Sequence, residues 1–152
     1  MIKLKNLGTF EAVPEIVIDI VKGNIKALEN ALIDGWDIHK PIQLDNYSEY
    51  SPLELALVIN CLPSVQWLVE HGVDLNEEEN PSFLLVVRYG TKKIIEYVVS
   101  HGANIHALNC VKLDAFEAAL YGKKYENLQI IHDLGHTVQK YGGKAFRNAI
   151  TD

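Results

Sequence analysis

Cysteine is scarce in this chain: only Cys61 and Cys110 occur, 49 residues apart in unlike surroundings. That spacing spells neither a disulfide framework nor a CxxC metal site, so both thiols are expected to be reduced and structural or incidental. Long apolar runs are missing too, since no stretch approaches 18 residues without a charge or a helix breaker, which argues against a membrane-spanning helix. The opening "MIKLKNLGTFEAV" has no apolar run of secretory length, and the expected location is cytoplasmic. Basic residues are the minority, 14 against 20 acidic, for a net charge of -6. Nucleic acid and anionic membranes are therefore poor partners, because both need a basic stripe that displaces counterions. What remains is ample for a core: 48% of 152 residues are apolar, enough for one ordinary domain spanning 1–152.

The chain repeats itself. "SHGANIHALN" at 100–109 carries the skeleton of "EHGVDLNEEE" at 70–79, and "DGWDIHK" at 34–40 and "LGHTVQK" at 134–140 are two further relatives. Their glycines, Gly35, Gly72, Gly102 and Gly135, stand 37, 30 and 33 residues apart. A mean period near 33 points to a stack of similar units. Counting back 21 residues from each glycine reaches Pro14, Ser51, Pro81 and Asp114, and from there the four segments superpose without gaps. Length variation is thus confined to the connections, as variable loops between equal units require.

Each segment reads as two short helices, for example "SPLELALVIN" then "LPSVQWLVEHG". Apolar residues recur three and four apart, as with Leu53 and Leu57 or Ile94, Tyr97 and Val98. Ser51-Pro52-Leu53-Glu54 is a capping-box opening, and Asp114-Ala115-Phe116-Glu117 repeats it with Asp as the cap. Asn24, Ser64 and Thr91 are expected to cap the second helices. The four glycines should end those helices with a left-handed backbone.

With these features the chain resembles the ankyrin repeat family, most closely in "SPLELAL" at 51–57, "GVDLN" at 72–76 and "GANIHALNCVKLDAFEAAL" at 102–120. The resemblance implies an all-α fold: an ankyrin-type solenoid of four helix-turn-helix repeats, about 14–46, 51–76, 81–109 and 114–140, with projecting loops. A short C-terminal capping helix within 141–152 would close the end. The sequence departs from the family at its first-helix histidine, replaced by Val17, Glu54, Leu84 and Glu117. Relative to the family, the loop after Ile38 carries about four extra residues and the one after Leu75 about three too few.

His71 and His101 share one repeat position and His39 and His106 another, yet zinc needs three or four converging ligands and no short motif supplies them. A donor side chain beside a helix carboxyl end is the simpler reading of the first pair. No GxSxG elbow occurs, and "YGGK" is too short for a phosphate loop. The chain is therefore expected to be no enzyme and to need no cofactor or metal. The expected role is a non-enzymatic interaction module that binds a partner protein, one with a basic surface to meet Glu77, Glu78 and Glu79, as a monomer. An immunity or inhibitor protein masking a toxin or enzyme, and a self-associating structural protein, are the alternatives. The resemblance implies that loop tips and first-helix positions grip the partner. Carried onto this sequence, these are Tyr47, Ser48, Tyr50, Val58, Ile59, Arg88, Tyr89 and Tyr121, with Cys110 and Leu113 beside them. Trp67 reads as core, and Trp36 is undecided.

Overall fold

The computed structural model describes residues 1–135, and its contacts divide the chain into two compact units, one of Met1–Asp74 and one from Leu75 onward. The described residues are mostly helical, with eight helices and two small two-stranded sheets. The expected capping helix within 141–152 and the end of the last repeat lie outside the described residues.

The first unit opens with a hairpin, β1 (Ile2–Leu4) and β2 (Gly8–Phe10), registered Ile2 to Phe10 and Leu4 to Gly8. Leu4 and Phe10 turn inward and are buried. Helices α1 (Glu15–Lys22) and α2 (Ile25–Ile33) follow, then a second hairpin of β3 (Ile42–Gln43) and β4 (Glu49–Tyr50), then α3 (Pro52–Val58) and α4 (Leu62–Glu70). The described fold is mostly helical, as expected, with the few short strands confined to these two hairpins. The alternation of Ile2 and Leu4 before a turn holding Asn6 at φ 66° is what turns the start into a hairpin. Asn6 then donates from Nδ2 to Val58 O at 2.9 Å, fastening that turn to the end of α3.

No described helix exceeds nine residues, so none of them is stable without burial against its neighbours. In the first unit α1 packs on α2 and α3, and α4 on α2 and α3. Val17, Ile20, Leu28, Leu55, Val65 and Leu68 are fully enclosed there, each worth about 1.5–3 kcal/mol relative to exposure. In the second unit α5 (Ser82–Tyr89), α6 (Lys92–Ser100), α7 (Ala115–Tyr121) and α8 (Tyr125–Asp133) repeat the plan. There α5 and α7 lie close because Ala115, Ala118 and Ala119 face the contact, with Phe83 and Phe116 filling the core. Gly122, the C-cap of α7, carries this approach to its limit: a Cβ there would run into Arg88 O.

Helix ends recur with the same geometry. Gly35, Gly72, Gly102 and Gly135 all have positive φ, between 86° and 103°, as expected. The residue after each of the first three donates to the carbonyl five back: Trp36 to Ala31, Val73 to Leu68, Ala103 to Val98. His71 and His101 close their helices alike, each with Nδ1 against the carbonyl four residues earlier, Trp67 O at 2.7 Å and Tyr97 O at 2.9 Å. A carbonyl only accepts, so Nδ1 carries the proton in both rings. Each imidazole also stacks on the aromatic ring below it at 4.1 Å, Trp67 or Tyr97. Trp36 stacks on Trp67 at 6.3 Å and 10°, which settles it as part of the packing.

Caps at the amino ends divide. Ser51 and Glu54 form the full capping box, Asp114 Oδ1 accepts from Glu117 N at 2.9 Å, and Asn24 accepts from Ala27 N. Thr91 holds the cap position of α6 without a side-chain cap bond. Ser64 does something else, correcting its expected role: it lies one turn inside α4, buried, and donates to Ile20 O at 2.5 Å. Asn127 occupies the same place in α8, eight residues before the turn glycine, and donates to Val87 O at 2.9 Å and Gly90 O at 3.1 Å. Ile20 and Val87 are themselves equivalent, each 15 residues before its own turn glycine. In both units, then, a polar side chain on the second helix of the second pair satisfies carbonyls freed at the end of the first pair's first helix. At the same place the other two pairs have Ala27 and Ile94.

These two clamps should differ in strength. Ile20 O already receives Gly23 N–H at 3.2 Å, whereas Asn127 serves two carbonyls. Asn127→Ala is expected to cost roughly 2–4 kcal/mol and Ser64→Ala about 1 kcal/mol, because each buried acceptor left bare costs about 1–3 kcal/mol; urea denaturation measures both. Burial raises the Asp114 carboxyl to about 6, with the Glu117 charge adding to the effect. A carboxyl raised in the folded state favours folding while protonated, and that contribution is lost as pH climbs from about 4 through 6. Asp114→Asn keeps the accepting oxygen without the charge. Its stability relative to the parent should therefore rise between pH 4 and pH 7, read as the difference in urea midpoints.

Candidate functional site

The hairpin between α2 and α3 is built to present its tip. Ile42 and Leu44 turn inward and are buried, and Leu44 N donates to Ser48 O at 2.8 Å. Asp45 Oδ1 accepts from Tyr47 N at 2.8 Å and Ser48 N at 2.7 Å, closing the turn. The Tyr47 amide is the main cause holding the Asp45 carboxyl below its ordinary range. The Tyr47 ring stands at the summit, 95% exposed, while Ser48 and Tyr50 are half-buried at its base. The four extra residues of this connection thus become a firm finger. By contrast Glu77, Glu78 and Glu79, in the shortened connection, are all exposed.

The first-helix positions are less uniform. Val58 is only 4% exposed, and its carbonyl is held by the Asn6 turn; its side chain is core, which corrects its assignment to the gripping surface. Ile59, the C-cap of α3, is half-buried. In the second unit Tyr121 is 66% exposed, Arg88 and Tyr89 are half-buried, Cys110 is exposed and Leu113 half-buried. The Arg88 guanidinium carbon sits 5.1 Å from the Tyr89 ring centre, and Arg88 Nε is buried.

Three polar residues unmarked in the sequence shape the loops. Asn76 donates from Nδ2 to Gly102 O at 3.0 Å and accepts from Asn104 N at 2.8 Å, stitching one loop base to the next corner. Asn104 in turn accepts from His106 N, as Asp37 does from His39 N, so both histidines of the second pair follow an Asn or Asp turn. Asn109 Oδ1 accepts from Val111 N and Leu113 N, both at 3.0 Å, and raises the exposed Val111. For Asn104 the signal was the recurrence of Asp or Asn two residues after the turn glycines, at Asp37, Asp74 and Asn104; Asn76 and Asn109 follow no such recurrence.

Among the described residues no three His, Cys, Asp or Glu side chains gather as metal ligands. Among the described residues the second unit has a groove of about 340 Å³ between α6 and α8, walled by Ile95, Val99, Ile130 and Leu134, and a cleft of about 50 Å³ beside Arg88. No described helix is long and apolar enough to cross a membrane.

No family model matches the chain. It is similar to Ankyrin repeat and SOCS box protein 2 of Homo sapiens, 28% identical over 114 residues, which is 70% of this chain and 18% of that protein. Ankyrin repeat and SAM domain-containing protein 6 of Rattus norvegicus is 29% identical over 96 residues, 60% of this chain and 10% of that protein. The chain thus spans less than a fifth of the length of either relative.

Because Asp45 alone holds both amides of the Tyr47 turn, Asp45→Ala should speed hydrogen exchange at Tyr47 N and Ser48 N several-fold. Asp45→Asn, which keeps an accepting oxygen, should change it less, and amide exchange followed by NMR distinguishes the two.

Proposed function

We propose, for a chain whose repeats and sequence relatives are those of ankyrin repeat proteins, that it is a non-enzymatic module binding another protein through its loop tips and first-helix face. In this reading the four helix pairs stack as a single four-repeat array within one domain, working as a monomer in the cytoplasm. The observation that carries it is the Tyr47 finger. A bare aromatic ring costs solubility unless it has a use, and here the backbone beneath it is fixed by Asp45 and by the buried Ile42 and Leu44. Tyrosine suits that use because it buries much area while losing little rotamer freedom. Tyr50, Ile59, Tyr89, Tyr121 and Arg88 extend the surface, with Ser48 as a polar contact. The acidic run at Glu77, Glu78 and Glu79 favours a partner that is basic around its contact, so association should slow as salt rises.

Affinity capture from native cytosol tests this, with the intact chain and a Tyr47→Ala, Tyr50→Ala, Tyr89→Ala variant as paired baits. A specific prey should bind the variant at least about thirtyfold more weakly, the loss expected when more than one anchoring ring is removed. Equal retention by both baits rejects this surface.

A further inference from the structure

Arg88 stands in the last turn of α5 without a counter-group among the described residues. Among the described residues its guanidinium makes no hydrogen bond or salt bridge, and Nε is buried without a partner. A guanidinium offers five N–H donors and stays charged at any physiological pH. The groups around it compensate only in part: the Tyr89 ring at 5.1 Å has a negative face but no lone pair aimed along an N–H, and the end of α5 supplies about half a negative charge. Gly122 packs against the Arg88 carbonyl and Cγ, so the base of the side chain is held between α5 and α7.

The cleft beside it brings in a second donor. Asn80, Pro81, Leu84, Arg88, Asn109 and Leu113 line it. Asn109 Oδ1 is taken by the two backbone amides of Val111 and Leu113. Its orientation is thereby fixed, because a flipped amide would set NH2 against N–H. Asn109 Nδ2 is left with no hydrogen bond among the described residues. Arg88 and Asn109 therefore bring unengaged donors to one cleft whose other walls include Pro81, Leu84 and Leu113.

Size narrows the occupant. At roughly 10–15 Å³ per water-sized atom, a cleft of about 50 Å³ takes about three to five heavy atoms, a carboxylate with one or two methylene carbons. Nucleotides and organic cofactors fill clefts of about 300–1,000 Å³. We infer that this cleft receives an aspartate or glutamate side chain of the partner protein, gripped by the two terminal Nη groups of Arg88 and completed by Asn109, with the apolar walls against its methylene groups. The inference rests on the protein-binding reading above and sharpens it: a partner basic towards Glu77, Glu78 and Glu79 carries one acidic anchor that sets its register. Those three glutamates are exposed, and none forms a salt bridge with Arg88.

Sodium acetate is the first probe, titrated into the full chain against sodium chloride and sodium phosphate at matched ionic strength. The readout is the NMR shifts of Arg88 Nε–H and Asn109 Nδ2–H2. Acetate should move both signals along one saturating curve, at least tenfold more tightly than chloride, and Arg88→Lys should abolish the response at Asn109. Linear movement alike in all three salts, a persistent Asn109 response in Arg88→Lys, or phosphate binding more than tenfold tighter than acetate overturns the carboxylate assignment. The second probe is a random peptide library panned on the whole chain. Selected peptides should share one Asp or Glu whose amide replacement weakens binding at least tenfold, with no further loss when combined with Arg88→Gln. Independent, multiplying losses overturn the inference. A library that yields no binder speaks against the protein-binding face itself, while acetate still decides the cleft.

Discussion

Everything in this molecule follows from helices too short to stand alone. At seven to nine residues each, a helix spends nearly as many backbone groups on its unsatisfied ends as on its interior bonds. Burial against a neighbour supplies the stability, but burial also takes water away from those ends. Each enclosed carbonyl then needs a donor from within the protein. Ser64 and Asn127 meet that need in the two units at one repeat position, reaching 44 and about 40 residues back along the chain. His71 and His101 meet it locally, capping their helices while stacking on the rings beneath.

The distinction between local and distant partners also decides what could be read in advance. Turn glycines, the Ser51 capping box and the helix boundaries depend on residues a few positions apart, and they stand in the structure as the sequence implies. Ser64 looked like a cap because Ser near a helix start usually is one; its real acceptor, Ile20 O, belongs to another helix pair. Val58 looked like a surface residue because first helices in such repeats show that position. In the structure that side chain is enclosed, and its carbonyl is bonded by Asn6 from the start of the chain. The opening hairpin itself was legible only faintly, in the alternation of Ile2 and Leu4 before Asn6. Arg88 was visible as an arginine at a gripping position, but the lack of a counter-group is a property of space and not of spacing.

The same division shapes the proposed binding surface. Rigid parts come from the repeat: buried aliphatics, stitched loop bases, and helices held at fixed ends. Variable parts sit where the repeat tolerates added or lost residues, and the longest addition is the one that lifts Tyr47. Asp45, Asn76 and Asn109 show how little is needed to make such loops firm: one amide or carboxylate side chain apiece, bonded to two backbone groups. Presenting side chains on stiff loops lowers the ordering cost of recognition, since little freedom remains to be lost on contact.

The stack of Trp36, Trp67 and His71 has an optical corollary. The chain owns two tryptophans, and both lie in that one column of rings in the first unit. Indole emission excited beyond the tyrosine band is therefore a private reporter on the amino-terminal half, whereas tyrosines stand in both halves. Its melting curve, set against the helical dichroism of the whole chain, would measure how far that half unfolds together with the rest.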